Sequence, residues 1–262
     1  MPRVESRHNE RLREVARLIA SSRERRKRGR CVLEGVHLID VYCTRIGPPD
    51  LLVVLDEALA RPDVAGVAQR IAPSRTIVVS RRLFAEIASL PADIAALAVV
   101  ATPAPRVGAP ADFCLLLEDV QDPGNVGSML RTAAAAGCDQ VLLSKACAFA
   151  WSPKVLRAGQ GAHFLTRIAE DVDLAAWLAH FRSKGGHALA TLARGGASLY
   201  ATPLAEPLAV VIGNEGAGLA VETARACDLS VTIPLAPGSE SLNAAAAAAI
   251  VLFEARRRLG AA

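Results

Sequence analysis

Apolar residues along this chain fall into two kinds of run. Short unbroken stretches suit buried strands, and longer stretches whose apolar positions recur at helical spacing suit helices. Between residues 31 and 101 the short runs 51–55, 76–79 and 94–101 alternate with helical patterns over 35–45, 63–71 and 81–90. The next ten residues, 102–111, hold three prolines and a glycine, which sustain neither a helix nor a central strand. Short runs then return at 113–117, 140–143, 188–192, 208–212 and 229–233, separated by helical patterns at 125–136, 153–159, 174–184, 221–226 and 242–259. Strands that are apolar throughout are covered on both faces. The pattern predicts an α/β protein with a C-terminal open parallel sheet flanked by helices over 112–262. A smaller N-terminal α/β domain is expected over 31–101, with a linker at 102–111.

Residues 1–30 stand apart. Leu12, Val15, Leu18 and Ile19 recur at helical spacing, while Arg11, Arg13, Arg17 and the cluster Arg23 to Arg30 cover the remaining positions, so one amphipathic basic helix is expected. This arm carries eleven Arg or Lys against four Glu, whereas the whole chain has a net charge of only +4. The basic character therefore belongs to one segment, which points to a polyanion partner. Arg25, Arg26, Lys27, Arg28 and Arg30 are the candidate contacts to the phosphates of such a partner, with a solvated face as the structural alternative. The apolar stripe lacks Trp and Phe, which argues against a membrane surface.

Composition removes other classes. With 52% hydrophobic and 21% charged residues the chain is not intrinsically disordered. The longest apolar run, 244–253, is too short to span a bilayer. The N-terminus opens on charge (Arg3, Glu5, Arg7) with no apolar stretch behind it, so no secretory leader and a cytoplasmic protein are expected. The six cysteines form no C-x-x-C pair and the five histidines show no metal-ligand spacing. Neither disulfides nor a metal site is expected.

Ligands of open parallel sheets bind beyond the carboxyl ends of the strands, and three such loops carry unusual residues. The first, 118–133, combines Pro123, Gly124, Asn125 and Gly127 with Arg131 four residues further on. Asn125 suits a helix N-cap, and Arg131 is a candidate phosphate ligand, with a salt bridge in the helical layer as its structural alternative. No G-x-G-x-x-G is present, which disfavours a dinucleotide fold. The second loop, 213–219, places three glycines around Asn214 and Glu215, allowing close backbone approach to a ligand. The third runs from Ile233 and Leu235 to Ser241, Leu242 and Asn243 at the start of an alanine-rich helix, where capping accounts for one of the two polar residues.

The segments N-V-G-S-M-L-R-T-A (125–133), I-G-N-E-G-A-G-L (212–219) and I-P-L…S-L-N (233–243) resemble the three motifs of the SpoU or TrmH family of SPOUT RNA 2′-O-ribose methyltransferases. The resemblance covers residues 112–260 and extends to the segment 151–164. Residues 6–45 are similar to the N-terminal substrate-binding extension of rRNA-directed members. It implies a SPOUT domain with a trefoil knot, an exception to the unknotted rule. It also implies S-adenosylmethionine held near Gly213, Asn214, Ile233, Leu235 and Leu242, and a homodimer whose site borrows residues across the interface. Arg131, Asn125, Glu215 and Asn243 match the family's polar active-site positions. One departure is Ala244-Ala245-Ala246, where the family pattern carries a hydroxyl.

Methyl transfer to a ribose hydroxyl is an in-line displacement that requires an oriented hydroxyl and somewhere for its proton to go. A guanidinium stays protonated, so Arg131 is expected to grip a phosphate and stabilise alkoxide charge rather than act as a base. Asn125 and Asn243 would position ribose or cofactor, and Glu215 would order the glycine loop or hold Arg131. The rival readings are a non-catalytic RNA-binding or ribosome-assembly protein that retains the fold, a nucleotide-dependent enzyme of different chemistry, whose required phosphate-cradling loop with a lysine is not found in the sequence, and tRNA in place of rRNA as substrate.

Overall fold

The computed structural model describes residues 1–89, 94–104 and 111–260. Most of the expected 102–111 linker, and the end of the helix expected over 81–90, lie outside the described residues. The chain forms two compact units. Met1–Ala104 with Trp151–Phe164 make the first, and Pro105–Ala150 with Leu165–Ala262 the second. Segment 151–164, expected inside the C-terminal domain, thus packs with the N-terminal residues.

The first unit is built on a mixed sheet of β1 (Arg3–Val4), β2 (Arg30–Glu34), β3 (Leu51–Leu55), β4 (Thr76–Val79) and β5 (Ala96–Ala101), in the order β1-β4-β3-β5-β2. The pairs β1–β4 and β4–β3 are parallel, whereas β5 runs antiparallel to both its neighbours. The run Leu-Leu-Val-Val-Leu of β3 is buried at all five positions, as an unbroken apolar strand requires. In segment 151–164 the ring of Phe164 meets Tyr42 edge-on with centroids 5.1 Å apart. Gly161 adopts φ +91°, and a Cβ there would stand 2.9 Å from Val41 Cγ1, so this turn needs glycine on both counts.

Residues 1–30 are not a separate arm. The single helix expected there is two, Glu10–Ala20 and Ser22–Arg28, because Ser21 adopts an extended conformation and its side chain caps the second helix at Glu24 N. Leu12, Val15 and Leu18 are at most 1% exposed and anchor the first helix in the unit's core. Gly29, left-handed at φ 58°, then ends the second helix and turns the chain into β2. Arg25, expected among the RNA contacts, is buried: its guanidinium donates to the carbonyls of Leu18 and Ile19, the latter at 2.9 Å. It satisfies the carbonyl end of the first helix, where a cation also complements the helix dipole. Desolvation lowers its pKa from the ordinary arginine value.

The second unit is an all-parallel sheet of β6 (Phe113–Leu117), β7 (Gln140–Leu143), β8 (Arg167–Ala169), β9 (His187–Thr191), β10 (Ala197–Ser198), β11 (Leu208–Ile212) and β12 (Leu229–Thr232), ordered β10-β12-β9-β11-β6-β7-β8. One face, including Cys114, Leu116, Leu142 and Val211, packs with Leu174 and Leu178 of the helix Leu174–Ser183. The alternate residues Leu115, Leu117 and Val210 are equally buried. The helices Pro123–Ala136 and Ala244–Arg258 pack together. Register places Ile212 beside Leu117, and Thr191 beside Val231, so the strands stop level with one another and their outgoing loops share one edge. No helix among the described residues is long and apolar enough to cross a membrane.

Two predictions follow from this packing. Arg25→Ala should lower unfolding free energy by about 1–3 kcal/mol in urea titration, since one buried and one half-buried carbonyl lose their donor; unchanged stability would contradict the capping role. All six cysteines are free. Burial pushes the thiols of Cys31 and Cys114 up to about 12. At pH 8 both should resist iodoacetamide until the chain unfolds, with the partly exposed Cys43 alkylated first; equal native-state rates would refute this.

Candidate active site

The first loop leaves β6 through Glu118 and Asp119 and enters the helix Pro123–Ala136. Its N-cap is Asp122, whose carboxylate accepts from Asn125 N at 2.7 Å, with Pro123 in the first turn. Asn125, expected as the cap, is thereby free to point its side chain elsewhere. Its Nδ2 donates to Glu215 Oε1 at 2.8 Å, and its Oδ1 accepts from Asn243 Nδ2 at 3.0 Å. Asn243 in turn is the N-cap of Ala244–Arg258, its Oδ1 accepting from Ala245 N at 2.9 Å and Ala246 N at 3.2 Å. The chain of bonds has one consistent polarity, because a carboxylate only accepts and a backbone N–H only donates, which fixes the orientation of both amides between them. Three loops, separated by 90 and 118 residues of sequence, meet on Asn125.

The glycine-rich loop is held by its own bonds. Asn214 and Gly218 exchange backbone hydrogen bonds at 3.0 Å in both directions, and Asn214 Oδ1 accepts from Gly216 N and Ala217 N, each at 2.9 Å. Asn214 Nδ2 reaches back to the Asp119 carbonyl at 2.8 Å. The whole side chain is thus spent on shaping the loop. A Cβ on Gly213 would lie 2.5 Å from the carbonyl carbon and oxygen of Gly218, so only glycine fits where the two strands of the loop close.

Against this loop lies a cleft of about 420 Å³, a size suited to a small organic ligand. Gly213, Asn214, Ile233, Leu235 and Leu242, the five expected cofactor contacts, all line it, as does Glu215. Ala244 and Ala247 of the alanine-rich helix contribute further wall, so the first turn lacking a hydroxyl faces the cleft. Sequence reasoning missed Thr191, Leu192 and Arg194, which line it from the end of β9. The rule that ligands sit beyond strand ends would have found them had it been applied to run 188–192. The shielded Thr191 hydroxyl has no hydrogen-bond partner among the described residues.

Arg131 does not join the cluster. It is exposed on the helix Pro123–Ala136 and makes no hydrogen bond or ion pair among the described residues, while Glu215, expected to hold it, is engaged by Asn125. The salt bridge considered for Arg131 is likewise absent among the described residues. Of the other basic candidates, Arg30 is paired with Glu14 at 2.6 Å and Asp50 at 2.8 Å, and Arg28 with Glu24 at 3.0 Å. Arg26 and Lys27 are exposed. In the same unit Arg11, Arg13, Arg17 and Arg28 surround a second hollow with Glu10 and Glu14.

Residues 112–253 match the family described as SpoU rRNA Methylase. The chain belongs to this family. A Bacillus subtilis relative, 23S rRNA (guanosine(2553)-2'-O)-methyltransferase RlmP, is 32% identical over 256 residues, covering 98% of this chain and 100% of the relative. The mitochondrial rRNA methyltransferase 3 of Xenopus laevis is 33% identical over 201 residues, covering 55% of this chain and 48% of its own. Among solved structures, the AdoMet-bound rRNA methyltransferase from Sinorhizobium meliloti superposes with a TM-score of 0.84 at 27% identity, covering 98% of each chain. AviRb from Streptomyces viridochromogenes, in complex with AdoMet, gives 0.84 at 26% identity, with 95% of this chain and 98% of AviRb covered.

For this SpoU-family chain, Gly213→Ala should force Gly218 away at a cost of about 1–3 kcal/mol and weaken S-adenosylmethionine binding by about tenfold or more. Calorimetry on the folded variant checks it; wild-type affinity would show that the closed loop does not shape the binding cleft.

Proposed function

We propose that this protein transfers a methyl group from S-adenosylmethionine to a ribose 2′-hydroxyl in structured RNA, with rRNA rather than tRNA as substrate. The observation that carries the reading is the meeting of Asn125, Glu215 and Asn243 beside a cleft lined by all five expected cofactor contacts. Family membership and the full-length likeness to a relative named for 23S rRNA 2′-O-methylation support it. The cleft suits the cofactor chemically. Ile212, Ile233, Leu235 and Leu242 offer apolar walls for a flat base, and the glycine-rich loop lines the cleft with main-chain polar groups suited to its hydroxyls and amine. The trefoil threading, and work in the cytoplasm, belong to the same reading.

Bound S-adenosylmethionine supplies an electrophilic methyl group on a sulfonium. The protein's share is orientation and charge. Asn125, held from both sides, presents a fixed amide at the mouth of the glycine loop and positions the ribose, with Asn243 beside it. Glu215 keeps Asn125 in its orientation and does not hold Arg131. Arg131 binds the neighbouring phosphate, stabilising the developing alkoxide while that phosphate takes the proton. Its exposure outside the cluster supports a homodimer in which Arg131 completes the partner copy's site. Phe253, 50% exposed on the helix Ala244–Arg258, supplies apolar surface for the pairing. With Arg25 buried and Arg28 and Arg30 held in ion pairs, phosphate contact falls to Arg11, Arg13, Arg17 and Lys27.

Arg131→Ala should abolish methyl transfer to rRNA while S-adenosylmethionine affinity stays within about twofold; full turnover would refute its role, and lost cofactor affinity would relocate it. Light scattering on the eluting protein should give twice the monomer mass, and a monomer with full activity would contradict the shared site. Replacing Arg13 and Arg17 together by Ala should flatten the salt dependence of RNA affinity by about 0.7–0.9 in logarithmic slope per lost contact. An unchanged slope would place the RNA elsewhere.

A further inference from the structure

Glu118 is a buried carboxylate, 9% exposed, at the end of β6, and the reaction described above makes no use of it. Its Oε2 accepts from Ala220 N at 2.8 Å and its Oε1 accepts from the Thr223 hydroxyl. Both partners lie more than a hundred residues away in sequence, just past the glycine-rich loop. The short helix Val221–Arg225 begins at Ala220, whose methyl side chain can cap nothing, so Glu118 provides the acceptor that the helix's own sequence lacks.

Glu118, together with its neighbour Asp119, also grips the other end of the loop. Glu118 N donates to Ile212 O at 2.9 Å, just before Gly213, and the Asp119 carbonyl accepts from Asn214 Nδ2 at 2.8 Å. Residues 118 and 119 therefore hold the loop at its entry and at its exit. Between those points lie Gly213, Asn214, Glu215 and Leu219, all lining the cleft. Loss of the exit tie would let residues 219 and 220 move outward and open the closed pair Asn214–Gly218, and the cleft wall with it.

We propose that Glu118 is a positioning residue for S-adenosylmethionine, acting through Ala220 and Thr223 to hold the glycine-rich loop in its binding shape. The inference rests on the cleft being the cofactor site. The carboxylate is needed for its two acceptors and not for its charge. A glutamine can accept from Ala220 N with its oxygen and donate to Thr223 Oγ1 with its amide, since a hydroxyl can reverse its role.

The test uses full-length wild-type protein and the variants Glu118→Ala, Glu118→Gln and Thr223→Val. Calorimetric titration with S-adenosylmethionine is read beside steady-state kinetics and hydrogen exchange of the ligand-free chains. Glu118→Ala should raise Kd and KM for the cofactor by about tenfold or more with kcat within about threefold, and speed exchange of the amides of residues 214–220 ahead of the sheet. Thr223→Val, losing one tie, should show a smaller rise, and Glu118→Gln should return to within about threefold of wild type. A Glu118→Ala protein that loses thermal stability while its folded fraction keeps wild-type Kd and loop protection would overturn the proposal. So would a Glu118→Gln variant as defective as Glu118→Ala. A wild-type protein that takes up no S-adenosylmethionine would instead overturn the assignment of the cleft.

Discussion

The side-chain amide of Asn125 is where the second unit's separate loops become one site. A neutral amide has one donor group and one acceptor atom, and here the donor goes to Glu215 and the acceptor to Asn243. That geometry exists only because β6 and β11 end in register, Leu117 beside Ile212, and because β12 leads into the turn before Asn243. A strand displaced by one residue would move its loop by about 3.3 Å, more than a hydrogen bond can stretch. The buried all-apolar strands enforce the register, since each residue of β6 is packed on one face or the other.

The loops divide their polar residues between shape and chemistry. Asp122, Glu118 and Asn214 spend every side-chain bond on backbone or on a neighbouring hydroxyl, fixing where the loops run. Glu118 is buried and Asn214 half-buried, and such groups are costly if left unpaired, so their partners are specified tightly. Arg131 is the opposite case: it is exposed and unpaired within the described residues, a charge committed to no loop. Preorganised loops with an uncommitted cation suit a displacement that needs alignment and charge stabilisation more than proton shuttling by a titratable side chain.

Much of this was legible in the chain. The runs 51–55, 76–79, 113–117, 140–143 and 208–212 are strands with those bounds, because uninterrupted apolar stretches bounded by turn residues leave little choice. β1, β2, β8 and β10 escaped: Arg30 and Glu34 flank only three apolar residues, and the other three strands are two, three and two residues long. Local sequence misassigned Asn125 as a cap because Asp122, three residues earlier, starts the helix first, its charged acceptor taking Asn125 N and leaving Asn125 inside the first turn. Arg25 looked like its neighbours in a basic run, yet a helix break at Ser21 turns it inward; no periodicity argument announces that break. The ties of Glu118 to Ala220 and Thr223, more than a hundred residues on, become visible only when the strands are set side by side.

The central claim is that one crevice, organised on Asn125, methylates ribose in rRNA. Mapping of alkali-resistant riboses in rRNA from cells with and without this protein tests it most directly. The account predicts one 2′-O-methylated nucleotide that disappears without the protein, returns with the wild-type chain and does not return with Asn125→Ala. An unchanged ribose map, or a site restored in full by Asn125→Ala, would contradict it.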